Sequence, residues 1–194
     1  MVRIQDAVAL VVLCLQSWIP VFWLLVHPAI GFWRRYPRAC YYGLAPVILL
    51  ATGVGLWWPS DWWLERRFTQ HWLAAAFGLA FIATDLWLMR QVERALGWRV
   101  LVGLPELMPG SHQAEVKAAG IYERVRHPRY LGMILSWLGA VLLAGSTRLL
   151  VLVAVLVAMA SMVMELEERE LLKRLGAPYA DYRRRVPRLL PRLR

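Results

Sequence analysis

No charged side chain occurs between Asp6 and Arg34, and this uncharged run of 27 residues sets what the chain can fold into. A helix needs about 20 mainly apolar residues to cross a bilayer, and Ala7–Val26 supplies them. The pattern recurs along the chain. Ala39–Ser60 is a second apolar window, and Phe68–Met89 is a third, interrupted only by Asp85. Tyr130–Thr147 is a fourth and Leu149–Met164 a fifth. In hydrocarbon every backbone N–H and C=O must be satisfied within the segment, which leaves helices as the natural form of such windows. The expected fold is therefore all-α: a multi-pass membrane helical bundle of about five transmembrane helices. The last two are joined by the short turn Ala144–Arg148 and should form a hairpin.

Composition agrees. Hydrophobic residues make up 59% of the 194, more than a soluble domain of this size can bury and far too many for a disordered chain. The first window is longer than the roughly 7–15 residues of a signal-peptide core and has no clean small-residue cleavage site after it, so it is expected to remain a span. Cys14 and Cys40 are too few for a disulfide framework.

The net charge is +10, and its distribution follows membrane orientation. The loop holding Arg34, Arg35 and Arg38, the stretch Arg90–Arg129 and the tail from Glu165 each carry net positive charge. The opposite loops are nearly neutral. By the positive-inside rule the N-terminus should face outward and the three basic regions the cytoplasm. Trp57, Trp58, Trp62, Trp63 and Trp72 crowd one outer loop, as in an interfacial aromatic belt. The basic charge thus needs no nucleic acid partner. Three regions are expected: 1–89 with three spans, 90–128 as a cytoplasmic loop, and 129–194 as the hairpin plus a cytoplasmic tail.

Two cytoplasmic stretches carry chemistry. In the first, Gly120–Tyr130, Pro128 suits the first turn of a helix and leaves His127 at its boundary. Arg124, Arg126, His127 and Arg129 then crowd the positive end of a helix dipole, an arrangement that suits a shared anion. In the second, Glu165 and Glu170 have i,i+4 partners in Arg169 and Arg174. Glu167 and Glu168 have leucines at that spacing and so no local counter-charge. Asp85 is an intramembrane acid, either functional or reaching toward Arg90 at the interface. The four histidines and two cysteines show no metal-ligand spacing, and Gly53-Val54-Gly55 lacks the strand and third glycine of a dinucleotide loop.

Taken in order, these residues are familiar. Gly120-x-Tyr122, Arg126-His127-Pro128-x-Tyr130, a hydrophobic hairpin, Glu167-Glu168-x-x-Leu171, Gly176-x-x-Tyr179-x-x-Tyr182 and Val186-Pro187-Arg188 resemble one family. It is the integral-membrane methyltransferases that include isoprenylcysteine carboxyl methyltransferase and the phospholipid methyltransferases. The likeness spans about Ala114–Pro191. It implies S-adenosyl-L-methionine as methyl donor in a cytoplasm-facing pocket beside the hairpin. Donor contacts carried over by motif are Ala114, Glu115, Val116, Lys117, Tyr122, His127, Pro128, Arg129, Tyr130 and Glu167. The helix start would suit the donor's carboxylate, Tyr122 or Tyr130 its sulfonium, and Glu167 its amine or ribose hydroxyls. No residue is singled out as catalytic.

The sequence departs from the prenylcysteine-methylating members at one place. They resemble one another in an Arg four residues before the Glu-Glu pair, where this chain has Val163. Met159, Met162, Val163 and Met164 suggest an apolar approach without a cation. The expected acceptor is therefore an apolar or amphiphilic molecule bearing an amine or thiol, or a neutral one, taken from the bilayer. Two other readings fit parts of the pattern: an NADPH-dependent membrane reductase of the sterol-reductase kind, and a non-enzymatic lipid-binding protein.

Overall fold

The computed structural model describes residues 3–65, 68, 71–101, 103–108, 116 and 118–191. Among these the chain is helical and has no strand. Four helices are long and apolar enough to cross a membrane: α1 (Ile4–Arg35), α2 (Pro37–Trp57), α3 (Trp72–Leu96) and α5 (Thr147–Leu175). Between the last two runs α4 (Pro128–Ala144), apolar but shorter. The tail adds α6 (Ala177–Arg185). The all-α multi-pass bundle expected from the charge-free windows is what the chain forms.

Two span lengths differ from the sequence windows. The fifth window ends at Met164, and its helix runs on through Glu165–Leu171, as the sequence allows, to Leu175, because the acidic and basic residues beyond are good helix formers. The shorter element is instead the fourth. At 17 residues α4 rises about 25 Å, less than the roughly 30 Å hydrocarbon core. It is also the most enclosed, with Tyr130, Met133, Trp137, Ala140, Leu143 and Ala144 all buried.

Small residues bring α3 and α4 together. A Cβ on Gly78 would lie 2.8 Å from the Gly139 carbonyl oxygen, and one on Gly139 would lie 2.6 Å from that of Gly78. One heptad along each helix, a Cβ on Gly132 would sit 2.4 Å from Asp85 Oδ1. The two antiparallel helices therefore meet backbone to backbone at two points. Such close approach is how helices gain van der Waals contact where lipid removes any hydrophobic drive between them.

The end of the bundle away from the His127-Pro128 step is closed by side chains from the loops. Gly145 takes φ +66° at the end of α4, and Ser146 caps α5 by accepting from the Leu149 amide at 3.3 Å. The same hydroxyl donates to the Trp63 carbonyl at 2.6 Å. Arg148 pairs with Glu65, donates to the Trp62 carbonyl at 2.8 Å and lies over the Trp62 ring. Trp57, Trp58, Trp62 and Trp72 remain exposed at this end, as an interfacial belt requires.

At the other end α4 is set back. α3 continues for 11 residues beyond Asp85, roughly 16 Å, and α5 for eight beyond Glu167. The first turn of α4, which meets both residues, therefore lies below the ends of its neighbours. Gly139→Ala is expected to force the α3–α4 seam apart and cost about 1–3 kcal/mol, read as a lower Tm in detergent. Gly53→Ala, where a Cβ meets nothing within 4 Å, is the matched control and should be neutral or slightly stabilising.

Candidate functional site

The site is built where α4 begins. Pro128 opens the helix and His127 is its N-cap residue, as the His-Pro step predicts. The chain before it forms a short 3-10 turn over Gly120–Glu123. The tail then returns to lie beside it. The Arg126 amide donates to the Pro187 carbonyl at 2.9 Å and the His127 amide to that of Arg188 at 3.0 Å. Tyr179, Tyr182 and Val186 bury themselves against Leu171, Leu172, Leu175 and Val116. The Tyr182 hydroxyl donates to the Tyr122 carbonyl at 2.7 Å.

Glu168 joins these pieces. It is fully buried. Its Oε1 accepts from Arg126 Nε at 3.2 Å and Nη2 at 3.0 Å, and from Arg188 Nε at 3.0 Å. His127 Nε2 lies 3.0 Å from the same oxygen. Oε2 accepts from Arg188 Nη2 at 3.0 Å and faces Arg183 Nε at 3.1 Å. Arg126 also donates through Nη1 to the carbonyls of Arg183 and Val186, at 2.7 and 2.5 Å. Arg188 reaches Glu165 at 2.6 Å. The carboxylate that lacks a partner on its own helix is thus paired with groups 20 and 42 residues away, which no i,i+4 rule reveals.

Glu167 faces a different space. Its side chain is 24% exposed. The Tyr130 hydroxyl donates to Oε1 at 2.6 Å, and His127 Nδ1 lies 3.6 Å from Oε2. Arg129, one residue before Tyr130, is 4.0 Å from Asp85 Oδ1. Tyr122, Tyr130 and Asp85 all lie close enough to Arg129 to act on its charge. Tyr122, His127, Arg129, Tyr130 and Glu167 are therefore gathered in one place, with Pro128 at their centre as the helix start. Val116 packs instead on the tail cluster, and Ala114, Glu115 and Lys117 lie outside the described residues.

Glu170 also reaches Arg34 of α1 at 2.5 Å, a partner outside its own helix. Arg124 is exposed, whereas Arg126 is drawn inward by Glu168. Other placements differ from the sequence reading. Asp85 turns into the bundle against α4 rather than out toward the interface. The Met159–Met164 set lines no common approach: Val163 and Met164 are buried in the core, while Met162 is 58% exposed on the outer face. Arg183 was visible only as tail charge, whereas Arg188 carried a signal in the Val186-Pro187-Arg188 step.

The electrostatics follow from burial and pairing. Burial lowers the pKa of His127 below its ordinary 6.5, against the opposing pull of the hydrogen bond to Glu168. Burial raises the Tyr122 hydroxyl, helped by Tyr182 and Glu167. Tyr182 is pushed up to about 12 by burial. Hydrogen bonding to Glu168 raises Arg188 further above its usual range.

Two outcomes are expected. Glu168→Gln should loosen the tail: loss of charge-assisted bonds costs about 1.5–3 kcal/mol, read as a lower Tm and faster proteolysis after Arg183–Arg185. A depressed histidine pKa means that the unfolded chain takes up a proton first as pH falls below about 6.5. Thermal stability in detergent should therefore be level above pH 7 and decline below 6.5. His127→Gln should flatten the part of that decline due to this residue, read as the difference between the two Tm–pH curves.

Comparison with known proteins bears on this arrangement. The phospholipid methyltransferase family model matches residues 73–177, from the start of α3 past the end of α5. Methanethiol S-methyltransferase 2 of Bradyrhizobium diazoefficiens is 42% identical over 194 residues, covering 88% of this chain and 68% of that protein. Methanethiol S-methyltransferase of Pseudomonas deceptionensis is 28% identical over 170 residues, with 79% and 59% covered. The protein of that name in Mycobacterium tuberculosis is 30% identical over 182 residues, with 82% and 68% covered. The chain thus spans about two thirds of the length of these relatives, and somewhat less of the Pseudomonas protein. No solved structure matches. The family match encloses the set-back start of α4 and both partners that meet it. The chain belongs to the phospholipid methyltransferase family and is an integral-membrane methyltransferase.

Proposed function

We propose that this chain transfers a methyl group from S-adenosyl-L-methionine to a small apolar thiol, at a site that faces the cytoplasm. The observation that carries the donor is the grouping of Arg129, Tyr122, Tyr130 and Glu167 around the first turn of α4. Their chemistry fits that molecule. Arg129 and the positive end of the α4 dipole suit its carboxylate. Glu167 suits its ammonium or ribose hydroxyls, and Tyr122 or Tyr130 would suit its sulfonium. When bound, the donor would supply an electrophilic methyl group for in-line displacement by the thiol sulfur, with S-adenosyl-L-homocysteine as leaving group and the thiol proton released to solvent. The chain's own residues bind, align and keep water away, and alignment alone lowers such barriers greatly. His127, Glu168 and the tail hold the start of α4 and Tyr130 in register. The basic charge of the 90–128 loop and the tail from residue 165 supports a cytoplasmic placement of this end.

The thiol acceptor rests on the relatives' names, which are methanethiol S-methyltransferases. Two features of this chain support it. Val163, where a carboxylate-binding Arg would stand in the prenylcysteine-methylating members, is completely buried in the apolar core. Arg169 is 66% exposed and paired with Glu165 on its own helix, so it does not replace that cation. A carboxylate acceptor would lose its hydration without a partner. A small neutral thiol dissolves in lipid and needs none.

Purified protein in detergent should bind the donor, and convert methanethiol to dimethyl sulfide in its presence. Glu167→Gln should weaken donor binding about 10–150-fold, the loss of one charge-assisted bond, with little change in Tm. Wild-type turnover of a farnesylcysteine analogue with none of methanethiol would overturn the acceptor. Unchanged donor affinity in folded Glu167→Gln would overturn the role of that carboxylate. Val163→Arg is a poor test, since it buries a guanidinium in the core.

A further inference from the structure

We propose that Asp85 is a positioning residue for the donor: an intramembrane carboxylate, held by Gln16, which Ser136 fixes in turn, that keeps Arg129 turned inward at the start of α4. The inference rests on the donor reading above and adds a residue to it.

Asp85 lies midway along α3 and is 3% exposed. A carboxylate at such depth is costly and persists only with partners. One oxygen has them. Asp85 Oδ2 accepts from Gln16 Nε2 at 2.6 Å, and Gln16 Oε1 accepts from the Ser136 hydroxyl at 2.7 Å. Gln16 belongs to α1 and the fully buried Ser136 to α4, so the amide that holds this oxygen is itself fixed from a further helix. Gln16 cannot rotate its amide without losing both bonds.

The other oxygen is held open. Asp85 Oδ1 is buried and accepts no hydrogen bond. It lies against the backbone of Gly132, where any Cβ would come within 2.4 Å. Its nearest counter-charge is Arg129 Nη1, at 4.0 Å. Gly132 and Arg129 are three residues apart on α4 and so share a face. A closed, bidentate Asp–Arg pair would consume the guanidinium's fork. At 4.0 Å the attraction orients Arg129 and leaves its N–H groups to another acceptor. Without Asp85, an arginine at the end of a membrane helix extends toward water and head groups. With it, Arg129 stays beside Tyr130 and Tyr122, where the donor's carboxylate is placed.

The test is a double-mutant cycle on the full-length protein in detergent, with S-adenosyl-L-methionine affinity measured by calorimetry and Tm recorded alongside. Asp85→Asn keeps the shape and an acceptor for Gln16 but removes the charge that faces Arg129. Donor affinity is expected to fall about tenfold, a usual size for such pair couplings. In the Arg129→Gln background the same change should have no further effect. A purely structural Asp85 would lower Tm and leave donor affinity unchanged, or would weaken binding equally in both backgrounds; either result overturns the proposal. Should Asp85→Asn fail to fold, Gln16→Leu frees Oδ2 while keeping the charge. It must then weaken the donor in wild type and not in Arg129→Gln, and equal losses overturn the proposal. Failure of wild type to bind the donor overturns the donor reading and this inference together. Normal wild-type binding with an unaffected, folded Asp85→Asn overturns this inference alone.

Discussion

The arrangement depends on one buried carboxylate. Glu168 has no exposed surface, and an ion in that state loses several kcal/mol of hydration. It persists because four side chains from outside its helix, Arg126, His127, Arg183 and Arg188, converge on its two oxygens. Removing any of these takes a partner from a buried ion, so the loop before α4, the base of α5 and the returning tail form one unit. The adjacent Glu167 inherits its direction from this anchor. One glutamate secures the scaffold and its neighbour turns its oxygens toward the open site. The same chemical group is thereby buried among cations in one place and half-open to the site in the next.

A second constraint acts within the bilayer layer. Gly78 against Gly139 and Asp85 against Gly132 hold α3 and α4 at backbone contact. Lipid is as apolar as leucine, so surface burial adds little there and fit decides association. The seam also determines depth. Because α4 is short and gripped along its length, its charged first turn lies beneath the rims formed by α3 and α5. A polar site can thus exist at membrane level while every helix still satisfies its own backbone.

Much of this was legible in the sequence, and the rest was hidden for physical reasons. Charge-free windows revealed the spans, since hydrocarbon tolerates few alternatives. Pro128 and Gly145 revealed where α4 starts and stops, since each acts on its own backbone. Neighbours on a helix were legible too: Glu165 does pair with Arg169. Pairings between elements were not. Arg34 with Glu170 spans 136 residues, and Arg126 with Glu168 spans 42, and only packing decides which charges meet. Asp85 was readable as an anomaly, whereas its direction required knowing that Gly132 leaves room for it. The methionines after Ala158 looked like one surface because sequence proximity hides the 100° turn between successive helical residues.

The returning tail has a consequence for biogenesis. Chains emerge and fold from the N-terminus onward, and residues 183–188 follow all five apolar helices. The spans can therefore be inserted and packed while Glu168 still lacks Arg183 and Arg188. Integration into the membrane and completion of the pocket are separate events in time. A chain interrupted between Leu175 and Arg183 would still lodge in the bilayer, yet its charged cleft would stand open to water and to proteases. The returning tail thus separates chains that are merely embedded from those in which Glu168 has all its partners.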